Sequence, residues 1–352
     1  MITAHLTKND VYEKRAELQY NVDIVTKLLN NDLITKKYLG NQVTSFGFKK
    51  QVFFDNTFDS LLIKARGLFI YDDGQICARS FDKFFNVFLD NKWRKCDEFE
   101  YSDCPIEALK DKLKFPLKVF VKENGYLGIL SYSKITDDYF IASKSTTEGE
   151  YAQWFRNQIS YFFNDQLKEF LKTENISLIF EVIDMEHDGG HMIDYGYNSK
   201  ILYLIGAVEN NFEGKFYDWE QLLAISDKYF SSANKDHKLM VKKYYQDLET
   251  FEELERLLKE YEKDEEYNNK EGFVIHDVSG FMFKYKTKYY RNWKEARKAL
   301  ELILQNKPVK PTSYQLSEFV IWAQNNRNLL LQNNCDTIIK ARNLYNETIG
   351  EN

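Results

Sequence analysis

Lys122-Glu123-Asn124-Gly125 places a lysine at the end of a short apolar run, Leu117 to Val121, and follows it with a glycine-containing turn. A lysine at a strand end projects into a cleft, and the glycine lets the backbone approach a phosphate. Neighbouring cations and desolvation would lower the pKa of that amine and make it a nucleophile. Taken alone, a Lys-x-x-Gly turn is more often solvated surface, but further residues follow in order. Glu181 stands in Ile179-Phe180-Glu181-Val182, Glu271 in Glu271-Gly272-Phe273-Val274, and two lysines in Phe283-Lys284-Tyr285-Lys286, at successive separations of 59, 90 and 13 residues. Upstream lie Ala65-Arg66-Gly67-Leu68-Phe69 and Asp82-Lys83-Phe84-Phe85-Asn86. Lysine supplies an amine that can form a labile P–N bond. Phosphoryl transfer to it needs positive charge around the phosphate, which Lys284 and Lys286 would supply from one face of a strand. The chain carries no Walker-type P-loop, GxGxxG, HExxH or GxSxG.

This ordered set, from Arg66 to Lys286, resembles the covalent nucleotidyltransferases, and most closely the phage-type RNA ligase 1 family of ATP-dependent RNA ligases. The resemblance implies that Lys122 attacks the α-phosphate of ATP and holds AMP as a phosphoramidate. It gives Lys284 and Lys286 the role of catalytic phosphate contacts, and places Arg66 and Lys83 along the nucleotide. Glu181 would contact the nucleoside sugar or a metal-bound water, and Glu271 would help place Mg²⁺ or Mn²⁺. Lys144, in Ser143-Lys144-Ser145, matches the next motif loosely and would touch nucleotide or RNA. The implied substrate is RNA with 5′-phosphate and 3′-hydroxyl ends, joined in RNA repair, tRNA included, with an end-healing kinase or phosphatase as partner. Two positions depart from the family pattern. Asn124 replaces an aspartate, keeping a hydrogen-bonding oxygen without the charge, and Tyr126 replaces a small residue.

Hydrophobic periodicity indicates the elements that must hold these residues. Val11 to Leu39 is expected to be mainly helix. Leu61 to Tyr71 and Gln75 to Ser80 read as strands around Asp72-Asp73-Gly74. Further strands are expected at Leu117 to Val121, Tyr126 to Tyr132, Tyr139 to Ala142, Leu178 to Ile183 and Ile201 to Val208. Helices should cover Glu148 to Lys172, Trp219 to Phe230 and the acidic stretch from Asp247, whose Phe251, Leu254, Leu257, Leu258 and Tyr261 share one face. Gly272 to His276 and Phe281 to Tyr285 make a hairpin, with His276 an ordinary strand histidine. After Tyr290 the chain reads as helix, broken near Pro308 and Pro311. The expected architecture is α+β: a nucleotidyltransferase core of antiparallel sheets with flanking helices, ATP-grasp-like by the resemblance, over residues 1–290, and a small all-helical domain over 291–352. DNA ligases and capping enzymes usually append an OB-fold barrel after the last lysine motif, and no alternating short strands follow Arg291 here.

Composition narrows the class. Among 352 residues, 43% are hydrophobic and only 4 are proline, which argues against general disorder and Pro-rich linkers. No apolar run is long enough to span a bilayer, no signal-peptide core opens the chain, and the 4 cysteines lack CxxC spacing. The expectation is a soluble, cytoplasmic monomer. The formal net charge is −6, but 246–267 holds ten acids and three bases, leaving +1 for the remainder. Residues 286–310 hold eight bases and two acids, a candidate RNA-tracking face in which Arg291, Lys294 and Lys298 share one side of a helix. Glu186-His187-Asp188-Gly189-Gly190-His191 resembles a metal cluster, but the glycines would break the helix that aligns the two imidazoles, so a polar loop is expected. Two alternatives stay open: another polynucleotide ligase or end-adenylylating nucleotidyltransferase, and a non-catalytic nucleic-acid-binding module.

Overall fold

The computed structural model describes residues 21–89, 101–196, 199–230, 238–263 and 269–350. Strands follow in the order β1 (Ile34–Tyr38), β2 (Val43–Phe48), β3 (Leu68–Tyr71), β4 (Ile76–Arg79), β5 (Phe85–Phe88), β6 (Cys104–Pro105), β7 (Leu117–Lys122), β8 (Tyr126–Ser133), β9 (Asp138–Ala142), β10 (Ile176–Asp184), β11 (Lys200–Glu209), β12 (Lys238–Val241), β13 (Tyr244–Leu248), β14 (Gly272–His276) and β15 (Met282–Lys286). The fold is mixed α+β, and the chain divides into two compact units. One comprises Met1–Phe84, Leu127–Phe180 and Leu204–Val241, and the other Phe85–Tyr126, Glu181–Tyr203 and Lys242–Asn352.

The first unit contains the antiparallel sheet β1-β2-β3-β4 and most of the sheet β12-β11-β10-β8-β9. Val43, Phe69, Ile129 and Phe140 are among its buried core residues. The second unit is organised by a six-stranded sheet of order β13-β7-β14-β15-β5-β6. Here the alternation of the strands decides which side does what. Leu117 and Val119 on β7, Phe273 and Ile275 on β14, and Phe283 and Tyr285 on β15 all turn to one face. Phe251, Leu254, Leu257 and Leu258 of the helix Phe251–Glu260 pack against that face. Burying a side chain of this size contributes roughly 1.5–3 kcal/mol, so the apolar face pins the sheet and the opposite face is the one that carries the lysines of β7 and β15.

The β14–β15 hairpin and most other strands stand close to where periodicity puts them, but the strand expected from Leu61 begins only at Leu68, because Leu62–Lys64 forms a 3-10 turn. Other elements differ, each for a local reason. Helix covers 21–30 and then stops, where Asn31 Oδ1 accepts the Leu33 N–H (2.8 Å) and Ile34–Tyr38 pairs with β2 instead; residues 11–20 of the expected helix lie outside the described residues. The long helix expected over 148–172 is two helices, Glu150–Ile159 and Asp165–Glu174, with a 3-10 turn between them. Extended Asn164 restarts the second by accepting the Leu167 N–H (2.9 Å). The acidic helix begins at Phe251 rather than Asp247, capped by Thr250, because Tyr244–Leu248 pairs with β7.

After β15 the described chain is helical: Lys288–Leu304, Ser317–Asn325, Arg327–Gln332 and Ile338–Gly350, with no further strand among the described residues. Thr287 starts the first of these helices. Its Oγ1 accepts the Tyr290 N–H (3.1 Å) and donates to Lys270 O (2.7 Å), while its own N–H donates to Glu271 O (3.1 Å). One buried threonine thus ties the helix to the two residues just before β14. Trp293, Ala296, Leu300 and Ile303 form a core with Phe319, Val320 and Ile338. No helix among the described residues is long and apolar enough to cross a membrane.

Candidate active site

Register brings the predicted residues of the second unit together. Lys122 on β7 pairs with Gly272 on β14, and Gly272 pairs with Lys286 on β15. Paired residues in an antiparallel ladder share a face, so both lysines rise from the side opposite the apolar core. Lys284 pairs with Val274 and stands on the same face, two residues back along β15 in the next cross-strand row. The glycine between the two lysines is required by close packing: a Cβ there would enter the van der Waals shell of the Tyr285 carbonyl. Glu271, immediately before it, is 3% exposed and lies under both ammonium groups.

Glu271 Oε1 is 3.1 Å from Lys122 Nζ and 2.8 Å from Lys286 Nζ. Burial alone would raise the pKa of this carboxyl, but Lys122 and Lys286 outweigh it and hold the group below the usual carboxylate range. Glu181 enters from β10. Its Oε1 accepts the Gly125 N–H (3.0 Å) and lies 3.9 Å from Lys122 Nζ. Lys122 Nζ also donates to Glu123 O (3.2 Å), and the Lys286 ammonium sits over the Tyr290 ring, 4.7 Å from its centroid. Two carboxylates and two ammonium groups are therefore matched at the centre, with Lys284 beside them.

Asn124 organises the loop that carries Lys122. Its Nδ2 donates to Glu271 Oε2 (3.0 Å), and its Oδ1 accepts the N–H groups of Met192 (2.7 Å) and Ile193 (3.3 Å). Its own N–H donates to the Tyr195 hydroxyl oxygen (2.7 Å), and that hydroxyl donates to Glu123 Oε2 (2.9 Å). Burial and the Glu123 charge push the Tyr195 pKa far up, so it stays a neutral donor. Glu123 Oε1 in turn meets Lys243 Nζ at 3.0 Å. Tyr195 and Lys243 carried no signal in the sequence, because neither belongs to a spaced motif and each reaches the 122–125 loop from a connection distant in sequence, 185–199 and 242–243.

Arg66, Lys83 and Lys144 belong to the first unit. Arg66 Nη1 donates to Ser80 Oγ (3.5 Å), and the Lys83 ammonium lies over Phe58 and Phe53, 4.9 and 5.7 Å from the ring centroids. The Lys144 ammonium lies over Phe48, 5.5 Å away; burial, then the Arg66 charge, holds its pKa below that of an ordinary lysine. Arg291, expected on one helix face with Lys294 and Lys298, is held by an ion pair within the chain. It is clamped by both oxygens of Glu262 (2.8 and 2.7 Å) and donates to Lys286 O (3.1 Å). The two imidazoles of the 186–191 loop serve different partners: His187 Nδ1 meets Asp184 Oδ1 (2.9 Å), whereas His191 Nδ1 donates to Asn124 O (2.5 Å). Asp184, Glu186 and His187 gather their ligand-type atoms within 4.8 Å of one another. His276 is buried against Phe120, and burial, then Lys242 and Lys118, keeps it neutral.

Comparison with known proteins bears on the family and the fold. A family model described as RNA ligase matches residues 64–290. A tRNA ligase of Candida albicans is 26% identical over 83% of this chain and 39% of its own length. The chain therefore spans well under half of that relative. Two solved structures share the fold. A putative ATP-dependent DNA ligase from Aquifex aeolicus has a TM-score of 0.52 at 15% identity, covering 91% of this chain and 76% of that one. An archaeal ATP-dependent RNA ligase has 0.52 at 14% identity, covering 92% and 75%.

Proposed function

We propose, for a chain that belongs to the RNA ligase family, that it joins RNA ends in an ATP-dependent reaction with Lys122 as nucleophile. The observation that carries this reading is the cluster in which Lys122 and Lys286 share one oxygen of buried Glu271, with Glu181 alongside. In the first step the Lys122 amine, its protons lost to solvent, forms a P–N bond to the α-phosphorus of ATP, and pyrophosphate leaves. An oxygen of the RNA 5′-phosphate then displaces lysine, forming a P–O–P bond and returning a proton to Nζ. Finally the RNA 3′-hydroxyl attacks that 5′-phosphorus, a phosphodiester forms and AMP departs. Lys284 and Lys286 are the cations suited to the charge on the transferring phosphorus.

Glu181 and Glu271 fit a hard divalent cation: two carboxylate oxygens converge on one cationic position, taken here by the Lys122 ammonium. Such an ion, Mg²⁺ or Mn²⁺, would supply charge neutralisation for the phosphates and favour the neutral amine. The tRNA ligase relative supports RNA repair as the setting, and ends of this chemistry would come from a kinase or phosphatase activity. The test is direct. RNA with 5′-phosphate and 3′-hydroxyl ends, incubated with ATP and Mg²⁺, should be joined with one AMP and one pyrophosphate released per junction. Absence of joining with Mg²⁺ or Mn²⁺ contradicts the reading.

A further inference from the structure

The helix Lys288–Leu304 starts beside the cluster, and its register selects which side chains follow Tyr290 along the same face. Residue 294 is four positions on, about 6 Å along the axis and on the same side. Since Tyr290 lies under the Lys286 ammonium, the next turn carries Lys294 past it. Lys294 is half-buried and, among the described residues, makes no hydrogen bond or ion pair. Two neighbouring cations are already engaged: Arg297 donates to Gly190 O (2.9 Å) and faces Glu301 (3.5 Å), and Arg291 is held by Glu262. Burial, then Lys286, lowers the Lys294 pKa, with Lys298 and Arg297 adding to the effect and only Glu271 opposing it. A half-buried ammonium crowded by like charges is unfavourable unless an anion joins it.

We propose that Lys294 binds a phosphate group of the substrate, one helical turn beyond Lys286. The phosphate is either one of the β- and γ-phosphates of ATP or a phosphate of the RNA end. The proposal rests on the ligase reading above, but its test measures binding, which can be read whether or not ends are joined. Dissociation constants for ATP and for 5′-phosphorylated RNA are measured separately for the wild type, Lys294→Gln, Lys294→Arg and the exposed same-helix Glu295→Gln. Lys294→Gln should weaken at least one probe by about ten- to a hundredfold, with Lys294→Arg within a few-fold of wild type and Glu295→Gln unchanged. Loss confined to ATP assigns the triphosphate, loss confined to RNA assigns the RNA end, and loss of both assigns a position that each fills. Wild-type affinity of Lys294→Gln for both probes overturns the proposal. So does a loss that Lys294→Arg fails to restore, because the missing element would then not be a cation.

Discussion

At position 124 a side-chain amide performs two tasks that a carboxylate could not combine. Its nitrogen donates to Glu271 while its oxygen takes two backbone N–H groups of the 191–195 loop. An aspartate would keep the second task but set a carboxylate oxygen where a donor now stands, 3.0 Å from buried Glu271. Like charges at that distance raise the pKa of one of the pair or force the groups apart. Asn124→Asp should therefore cost about 2 kcal/mol or more in stability and slow ATP-dependent self-labelling at least about tenfold. Asn124→Ala, which removes the donor without adding charge, should fall between. Thermal melting and labelling rates of the three proteins check this, and an aspartate variant as stable and active as wild type would show that the amide does not position Glu271. The residue types in this cluster were legible from their order along the chain. Their pairing was not, since Asn124 meets Glu271 across 147 residues and no spacing announces such a contact.

Strand alternation explains why the site has the face it has. On β7, β14 and β15 every second residue is apolar and faces the acidic helix, leaving Lys122, Lys284 and Lys286 in rows on the other side. Gly272 occupies the middle of the leading row, where any side chain would collide with the β15 backbone. Gly272→Ala should push β14 and β15 apart locally, separating Glu271 from Lys286. Self-labelling should fall at least about tenfold and stability by roughly 1–3 kcal/mol; near-wild-type values in both assays would mean that the row tolerates a methyl group. The hairpin was readable because its alternation is unambiguous. Ile34–Tyr38 was not, because its two lysines and flanking apolar residues fit a helical spacing as well as a strand paired with β2. The break at Asn164 was hidden by aromatic residues that continue the helical stripe through it. It depends on a cap, which is a matter of one side chain rather than of periodicity.

For the whole molecule, the excess of acid is a local matter. The stretch 246–267 alone accounts for more than the net charge of −6, and its helix turns apolar residues to the sheet. Charges separated by more than about 8–10 Å are largely screened at physiological salt, so the lysines at the centre, not the total, decide how a polyanion is received. The division of the chain into two units was not readable from composition, because each unit is assembled from three separate stretches. The proposed function rests on one central claim, that Lys122 becomes covalently adenylylated. The most direct measurement is incubation with α-labelled ATP and Mg²⁺, followed by mapping of the acid-labile label. The account predicts one AMP per chain on Lys122, and a Lys122→Ala protein that takes no label yet still joins pre-adenylated RNA at least in part. Label on another residue, or equal labelling of Lys122→Ala and wild type, would contradict it.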